Sequence, residues 1–220
     1  MAFRAWFVPC LFCLGSAIAT SQDTAPIVQP GAPGVNGKTL PPSAAGTPSR
    51  EPSTADTEFM QGMIMHHGQA VEMVALMAAR TKNKQLLSFG TRIRISQSDE
   101  MRFMKQWLEE RGKPLEMKMD HSKMDHSKMV NGKMPPMMMP GMLTPEQMKA
   151  LAAATGPRFD HLFLTGMIQH HGGALTMVDD LMKVPGAGQD AQLYDFATDI
   201  DNTQRAEIAI MQGMLAKEKK

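Results

Sequence analysis

Phe59-Met60-Gln61-Gly62-Met63-Ile64-Met65-His66-His67-Gly68-Gln69-Ala70-Val71-Glu72-Met73 decides how this chain is read, because the stretch occurs twice. The second copy is Phe163-Leu164-Thr165-Gly166-Met167-Ile168-Gln169-His170-His171-Gly172-Gly173-Ala174-Leu175-Thr176-Met177. Residues 56–78 and 160–182, which contain the copies, are identical at 11 of 23 positions at an offset of 104. At an offset of 107 the next segments match as well. Leu86, Phe89, Thr91, Ile93, Gln97, Glu100 and Met104 correspond to Leu193, Phe196, Thr198, Ile200, Gln204, Glu207 and Met211. Two gapped matches in the same order mark a duplicated two-segment unit.

Both segments carry helical spacing. Phe59, Met63, His66, Ala70, Met73 and Met77 fall in one narrow stripe, and so do Leu86, Phe89, Ile93, Gln97, Glu100, Met104 and Leu108. Asp56 and Asp160 are expected to cap the first helix of each unit, Gly112 with Pro114 to end the first hairpin, and Pro185-Gly186 to break the chain between the last two helices. Thr144-Pro145-Glu146-Gln147 reads as a capping box opening a short helix to about residue 154. A two-helix unit cannot bury its apolar face alone. The fold class expected is therefore all-α, a four-helix bundle of two duplicated hairpins joined by a long Met-rich crossover. Hairpin one spans residues 53–112, the crossover 113–143 and hairpin two 144–218. Arg92 and Arg94 align with Asp199 and Asp201, so these faces of the two halves have diverged to opposite charge. They are either two solvated faces or complementary docking surfaces between halves or subunits, which would permit a homo-oligomer.

Residues 1–19 read as an export signal: Arg4, an apolar run over residues 5–14, and a small-x-small cleavage site at Ala17-Ile18-Ala19. Cleavage after Ala19 would deliver a periplasmic protein. The apolar run is too short for an ordinary membrane span, and a retained interfacial anchor is the alternative. Both cysteines, Cys10 and Cys13, lie in this leader, so the mature chain would have neither disulfides nor thiolate ligands. Residues 20–52 are rich in Pro and Gly and lack aromatic residues, which reads as a disordered linker. A formal net charge of +1 points to no polyanionic partner such as nucleic acid.

Methionine is the outlier of the composition, with 23 residues against nine Phe, two Trp and one Tyr. On a helix each residue advances about 100°, so His66 and His67 diverge and Met63 lies angularly between them. Met167, His170 and His171 repeat the arrangement, and Met73 and Met177 can extend it by two turns. For one isolated helix, an ordinary core histidine and a Met packing stripe would explain the pattern. Repetition of the whole Met-His-His-Met unit favours metal ligation. On the partner helices Gln97, Glu100, Gln204 and Glu207 interrupt apolar stripes. A ligating His commonly donates its other ring N–H to a carboxylate, so these four residues are expected behind the ligands. Met101, Met104 and Met211 on the same helices are added as candidate ligands. Thioethers with imidazole suit Cu(I) and silver, with Cu(II) as a further candidate, whereas Mg, Ca and Mn prefer oxygen.

Within the crossover, Met119-Asp120-His121-Ser122-Lys123 repeats at once as Met124-Asp125-His126-Ser127-Lys128, followed by Met129. Met134, Met137, Met138, Met139 and Met142 follow among prolines. A five-residue period is neither helical nor extended, so Met119, His121, Met124, His126 and Met129 read as a flexible metal-catching arm. An exposed low-complexity linker is the plainer reading.

These residues resemble a bacterial DUF305 domain, over about residues 53–215. The resemblance rests on Phe59, Gly62-Met63-Ile64 and His66-His67 with Gln97, Glu100 and Met104, and on Phe163, Gly166-Met167-Ile168 and His170-His171 with Gln204, Glu207 and Met211. It implies a ferritin-like four-helix bundle. Some members are secreted or periplasmic copper-binding proteins that contribute to copper and silver tolerance. The family typically has Pro before the paired His, where this chain has Met65 and Gln169. The Met-Asp-His-Ser-Lys repeats are similar to Met-rich tracts of bacterial periplasmic copper-resistance proteins.

The expected function is a periplasmic Cu(I)- and Ag(I)-binding protein that sequesters the metal or hands it to a copper export system or another periplasmic copper protein. No nucleophile–base pair or phosphate loop is present in the sequence, so an enzyme is not expected. The alternatives are a ferritin-like metalloenzyme with a dinuclear centre, and a bundle whose Met-rich surface binds a partner without metal.

Overall fold

The computed structural model describes residues 27–29, 36, 38–40, 51–117 and 138–218. The chain divides into two units, Met1–Ser49 and Arg50–Lys220. In the first, β1 (Ile27–Gln29) pairs antiparallel with β2 (Lys38–Leu40), Val28 opposite Thr39. This ribbon lies in the stretch for which the composition predicts no regular structure. Three-residue strands can pair through the backbone without the packed core that the composition argues against.

The second unit is a four-helix bundle. Its long helices are α1 (Thr54–Ala75), α3 (Lys84–Glu110), α5 (Gly156–Lys183) and α6 (Ala191–Glu218). The single turn α2 (Met77–Arg80) extends α1 beyond Leu76, and α4 (Pro145–Ala153) belongs to the crossover. Helix α1 pairs with α3 and α5 with α6, and the two hairpins meet through α1 and α5. Those two helices run antiparallel: Met177 reaches Gly62, and Met73 reaches Gly166. Consequently α3 ends near one pole of the bundle while α5 starts at the other. The last part of the crossover makes that climb, from Met139 beside Gly62 to Leu143 beside Gly166 and on into α4.

The ends of the helices differ in part from the sequence expectations. Ser53 caps α1, and Asp56 is the third residue of a capping box with it. Asp56 is buried, and its Oδ1 also accepts the Gly188 N–H at 2.7 Å, tying α1 to the loop before α6. Helix α5 starts a full turn earlier than expected, at Gly156 after Thr155. Asp160 therefore lies inside the helix, where its Oδ2 accepts the Asn83 amide at 3.1 Å. The Pro at the first turn supplies the earlier start, because a fixed φ suits that position. Thr144 forms the expected capping box with Gln147. Gly112, at φ +62°, ends α3 with the Lys113 N–H on the Leu108 carbonyl. Arg92 lies over the Phe89 ring of its own helix, and Asp201 pairs with Arg205 on α6. Arg92, Arg94 and Asp199 are exposed, so these charges do not dock the two halves against each other.

The core divides into two apolar clusters. One, at the pole where α3 ends, is built from Phe59, Met63, Met104, Trp107, Leu181, Leu193 and their neighbours. The other contains Met73, Leu86, Ile93, Phe159, Phe163, Met167 and Met211. Between them, at mid-height, sit His66, His67, Gln97, His170, His171 and Gln204, all buried. Among the described residues no helix is long and apolar enough to cross a membrane.

Candidate metal centre

The repeat places one His pair on each of the two central helices at the level where they cross. The rings of His66 and His170 are in contact, 3.7 Å between centroids and tilted by 35°, and His67 and His171 flank them at 6.2 and 6.3 Å. All four imidazoles are fully buried. The adjacent His residues diverge as the 100° advance requires. One of each pair faces the opposite central helix, and the other faces the partner helix of its own hairpin.

Each Nε2 has an acceptor. His67 Nε2 donates to Glu100 Oε2 and His171 Nε2 to Glu207 Oε2, both at 2.6 Å. These carboxylates come from α3 and α6, and the duplication makes the two contacts equivalent. Ser96, one turn before Glu100, donates its hydroxyl to Glu100 Oε1 at 2.6 Å and fixes the carboxylate. The inner pair breaks the symmetry. His170 Nε2 donates to the His66 carbonyl at 2.8 Å, whereas His66 Nε2 donates to the Pro140 carbonyl of the crossover at 3.0 Å. A carbonyl can only accept, so both inner rings carry their proton on Nε2.

That tautomer leaves Nδ1 as a bare lone pair. The Nδ1 atoms of His66, His67, His170 and His171 are buried without any hydrogen-bond partner, and so are both amide atoms of Gln97 and of Gln204. An unpaired buried polar group costs about 1–3 kcal/mol, so such groups are normally rare and scattered. Here they are gathered in one band. Burial, reinforced by the neighbouring His67, depresses His66 to about 3, against the opposing effect of the Pro140 hydrogen bond. Burial and then the His66 and His171 charges hold His170 well below its usual range. Both inner rings are therefore neutral at neutral pH, the form that ligates metal. Burial would raise Glu100, but the His67 and Ser96 hydrogen bonds and the His67 charge outweigh it and keep the carboxyl below its usual range.

Buried methionines belong to both of the apolar clusters that bracket this band. Met63 and Met104 belong to the cluster on one side and Met167 and Met211 to that on the other, each with no exposed surface. Met101 is half-buried at the edge of the first cluster. Met73 and Met177 cross to the opposing central helix, where their methyl groups lie beside Gly166 and Gly62. Among the described residues no three His, Cys, Asp or Glu side chains converge as a ready metal cage. Met119, His121, Met124, His126 and Met129, like the leader with its cleavage site, lie outside the described residues.

Sequence reasoning passed over the crossover strap that lies against the band. Gln69 clamps it with both amide atoms, Nε2 on the Leu143 carbonyl at 2.9 Å and Oε1 on the Leu143 N–H at 2.7 Å. On α5 the repeat places Gly173 opposite Gln69, and the strap backbone runs directly over it. A Cβ there would lie 1.9 Å from the Pro140 oxygen. Gly141 turns at φ +74° in the same contact, where any side chain would strike the α5 backbone. The mismatch of Gln69 with Gly173 inside a repeat was the available signal.

Comparison with known proteins agrees with this architecture. A DUF305 fragment from Deinococcus radiodurans is 26% identical, over 76% of this chain and 99% of that one, with a TM-score of 0.62. A DUF305 protein from Streptomyces coelicolor is 28% identical over 74% and 93%, with a TM-score of 0.60. CopM, solved in Cu(I)-, Cu(II)- and silver-bound forms, shares the fold. In its Cu(I)-bound form it is 23% identical over 75% of this chain and 98% of its own, with a TM-score of 0.55. No curated protein matches the chain. The family model described as "Domain of unknown function (DUF305)" matches residues 56–215, and the chain belongs to that family.

Proposed function

We propose that the protein binds Cu(I) and Ag(I) as cargo in the mid-height band, through imidazole Nδ1 atoms and thioethers, and sequesters the ion or passes it on in the periplasm. The observation that carries this reading is the set of four buried, unpartnered Nδ1 lone pairs, flanked by Met63, Met104, Met167 and Met211. Imidazole and thioether together select soft ions over Mg, Ca or Mn. Glu100 and Glu207 act behind the ligands: each holds the far side of an imidazole and directs its lone pair inward. With both carboxylates so engaged, the band lacks the free Glu donors a carboxylate-bridged dinuclear enzyme would use, and we assign binding rather than catalysis. The metal-bound forms of CopM, on the same fold, are in keeping with this reading.

The test is titration of the mature protein with Cu(I) against a competing chelator under reducing conditions, beside variants lacking His66 and His67, His170 and His171, or residues 117–142. Loss of affinity in both His variants is expected. Loss confined to the deletion would overturn the proposal. Glu100→Ala should weaken binding about 10–100-fold, as removal of an outer hydrogen-bond partner does elsewhere.

A further inference from the structure

The duplication provides an internal comparison. Met73 on α1 reaches Gly166 on α5, and its repeat counterpart Met177 on α5 reaches Gly62 on α1. At Gly166 the crossover fills the remaining space with the isobutyl group of Leu143. At Gly62 it supplies Met139, and Met117 joins from the other end of the crossover. The Met139 sulfur and the terminal methyls of Met117 and Met177 come within 3.3–3.4 Å of a single point, the place a Cβ would occupy on Gly62. One related position is thus closed by a hydrocarbon. The other is met by one thioether sulfur and the methyl ends of two more methionines.

Two further features distinguish this second position from packing. Both ends of the Met-rich crossover are pinned around it: Gln61 Nε2 donates to the Pro114 and Glu116 carbonyls, at 2.6 and 3.1 Å, and His66 Nε2 holds the Pro140 carbonyl. Met117 and Met139 are therefore presented by anchored backbone. The three thioethers also line an open depression of about 450 Å³, with the acidic side chains Glu58 and Asp180 on its wall. An apolar core contact would be shut off from solvent, whereas this one is reachable by an ion and has the Glu58 carboxylate beside it, Asp180 being paired with Lys183 at 3.4 Å.

We propose that Met117, Met139 and Met177 form a second, thioether-only site for a soft monovalent cation, Cu(I) or Ag(I), at the foot of the crossover. The proposal shares the soft-metal reading of the bundle but uses none of its imidazoles. Thioethers bear no proton to lose, so this site should hold its ion at acidities that protonate histidine. Divalent copper, which prefers nitrogen and oxygen, should pass it by.

The experiment uses the mature chain with ¹³C-methyl methionine and ¹⁵N-histidine, titrated with silver nitrate in chloride-free buffer. Single Met117→Leu, Met139→Leu and Met177→Leu variants assign the three methyl signals. They conserve side-chain volume, and Trp107 fluorescence checks that they fold. The three signals should shift together with the same equivalent of Ag(I), and each variant should lose or weaken the response of the other two. Methyl signals that stay in place while the imidazole signals shift would overturn this site and leave the central band standing. Imidazole signals that stay in place while these three methyls shift would do the reverse. Methyls that still respond fully when one of the three is Leu would show separate contacts rather than one site, and would also refute it.

Discussion

Replacing Gly173 by Ala tests the strap that lies against the metal band. The added Cβ would lie 1.9 Å from the Pro140 carbonyl oxygen, 2.4 Å from its carbon and 2.6 Å from the Gly141 Cα. All three are backbone atoms, so no side chain can rotate out of the way, and the strap must retreat by about 1.5 Å to reach van der Waals distance. That movement opens the 3.0 Å hydrogen bond from His66 to Pro140, worth about 1 kcal/mol net, and overpacking adds about 1–3 kcal/mol. Against this, Ala in a helix interior gains about 1 kcal/mol over Gly. The net is a loss of about 2 kcal/mol, or a Tm lower by roughly 4–8 °C for a chain of this size. Thermal unfolding of the metal-free mature protein, followed by circular dichroism, measures it. Gly172 is the matched control, one residue away on the same helix, where a Cβ meets nothing within 4 Å. Gly172→Ala should raise Tm by roughly 2–4 °C through helix propensity alone. A Gly173→Ala protein that melts at or above the parent temperature would refute the packing of the strap on α5.

Two other perturbations follow from the same structure. Because His66 is depressed to about 3 and His170 is also lowered, the unfolded chain, titrating near 6.5, holds more protons than the folded one between those values. Stability should be undiminished above about pH 6.5 and fall toward pH 3 by up to about 1.4 kcal/mol per pH unit for each ring. The lowered Glu100 loses its contribution at the acid end of the same range. Urea midpoints at neutral and mildly acidic pH measure the slope, and a flat profile would contradict the burial of the inner pair. Separately, Asp190 accepts Trp107 Nε1–H at 3.1 Å, the Arg111 guanidinium at 2.7 Å and the Leu193 N–H at 3.0 Å. Asp190→Ala removes a helix cap and the partner of a buried indole, and should cost about 2–4 kcal/mol. Trp107 reports it directly, since the other tryptophan, Trp6, lies in the leader that the sequence predicts to be removed; an unchanged denaturation midpoint would count against these contacts.

The legible part of the fold was carried by local period. Phe59, Met63, His66, Ala70, Met73 and Met77 were placed on one face by spacing alone, and all are buried. The duplication then indicated which helices pair, since each copy of the unit is one continuous two-helix segment. Capping was legible where the signal lay next to its helix, as at Thr144, and failed at Asp160. There a Pro-containing turn extended α5 upstream and left the carboxylate to find Asn83 across the bundle.

The candidate site shows the same division. Adjacent His residues on a helix must diverge, and a carboxylate one hairpin arm away is a natural partner, so Glu100 and Glu207 were expected behind the imidazoles. That they meet His67 and His171, and that Gln97 and Gln204 meet neither, was settled by packing. The inner pair did not follow from the repeat. Whether His66 meets His170, and which acceptor each Nε2 finds, depends on two helices crossing about 100 residues apart in the chain, and on a strap with no counterpart elsewhere in the repeat. Periodicity constrains only the direction a side chain leaves its own helix. Which lone pairs end up without a partner, and why Met139 gathers with Met117 and Met177 while Leu143 occupies the related position, is set by the distance between elements, and that distance exists only once the chain has packed.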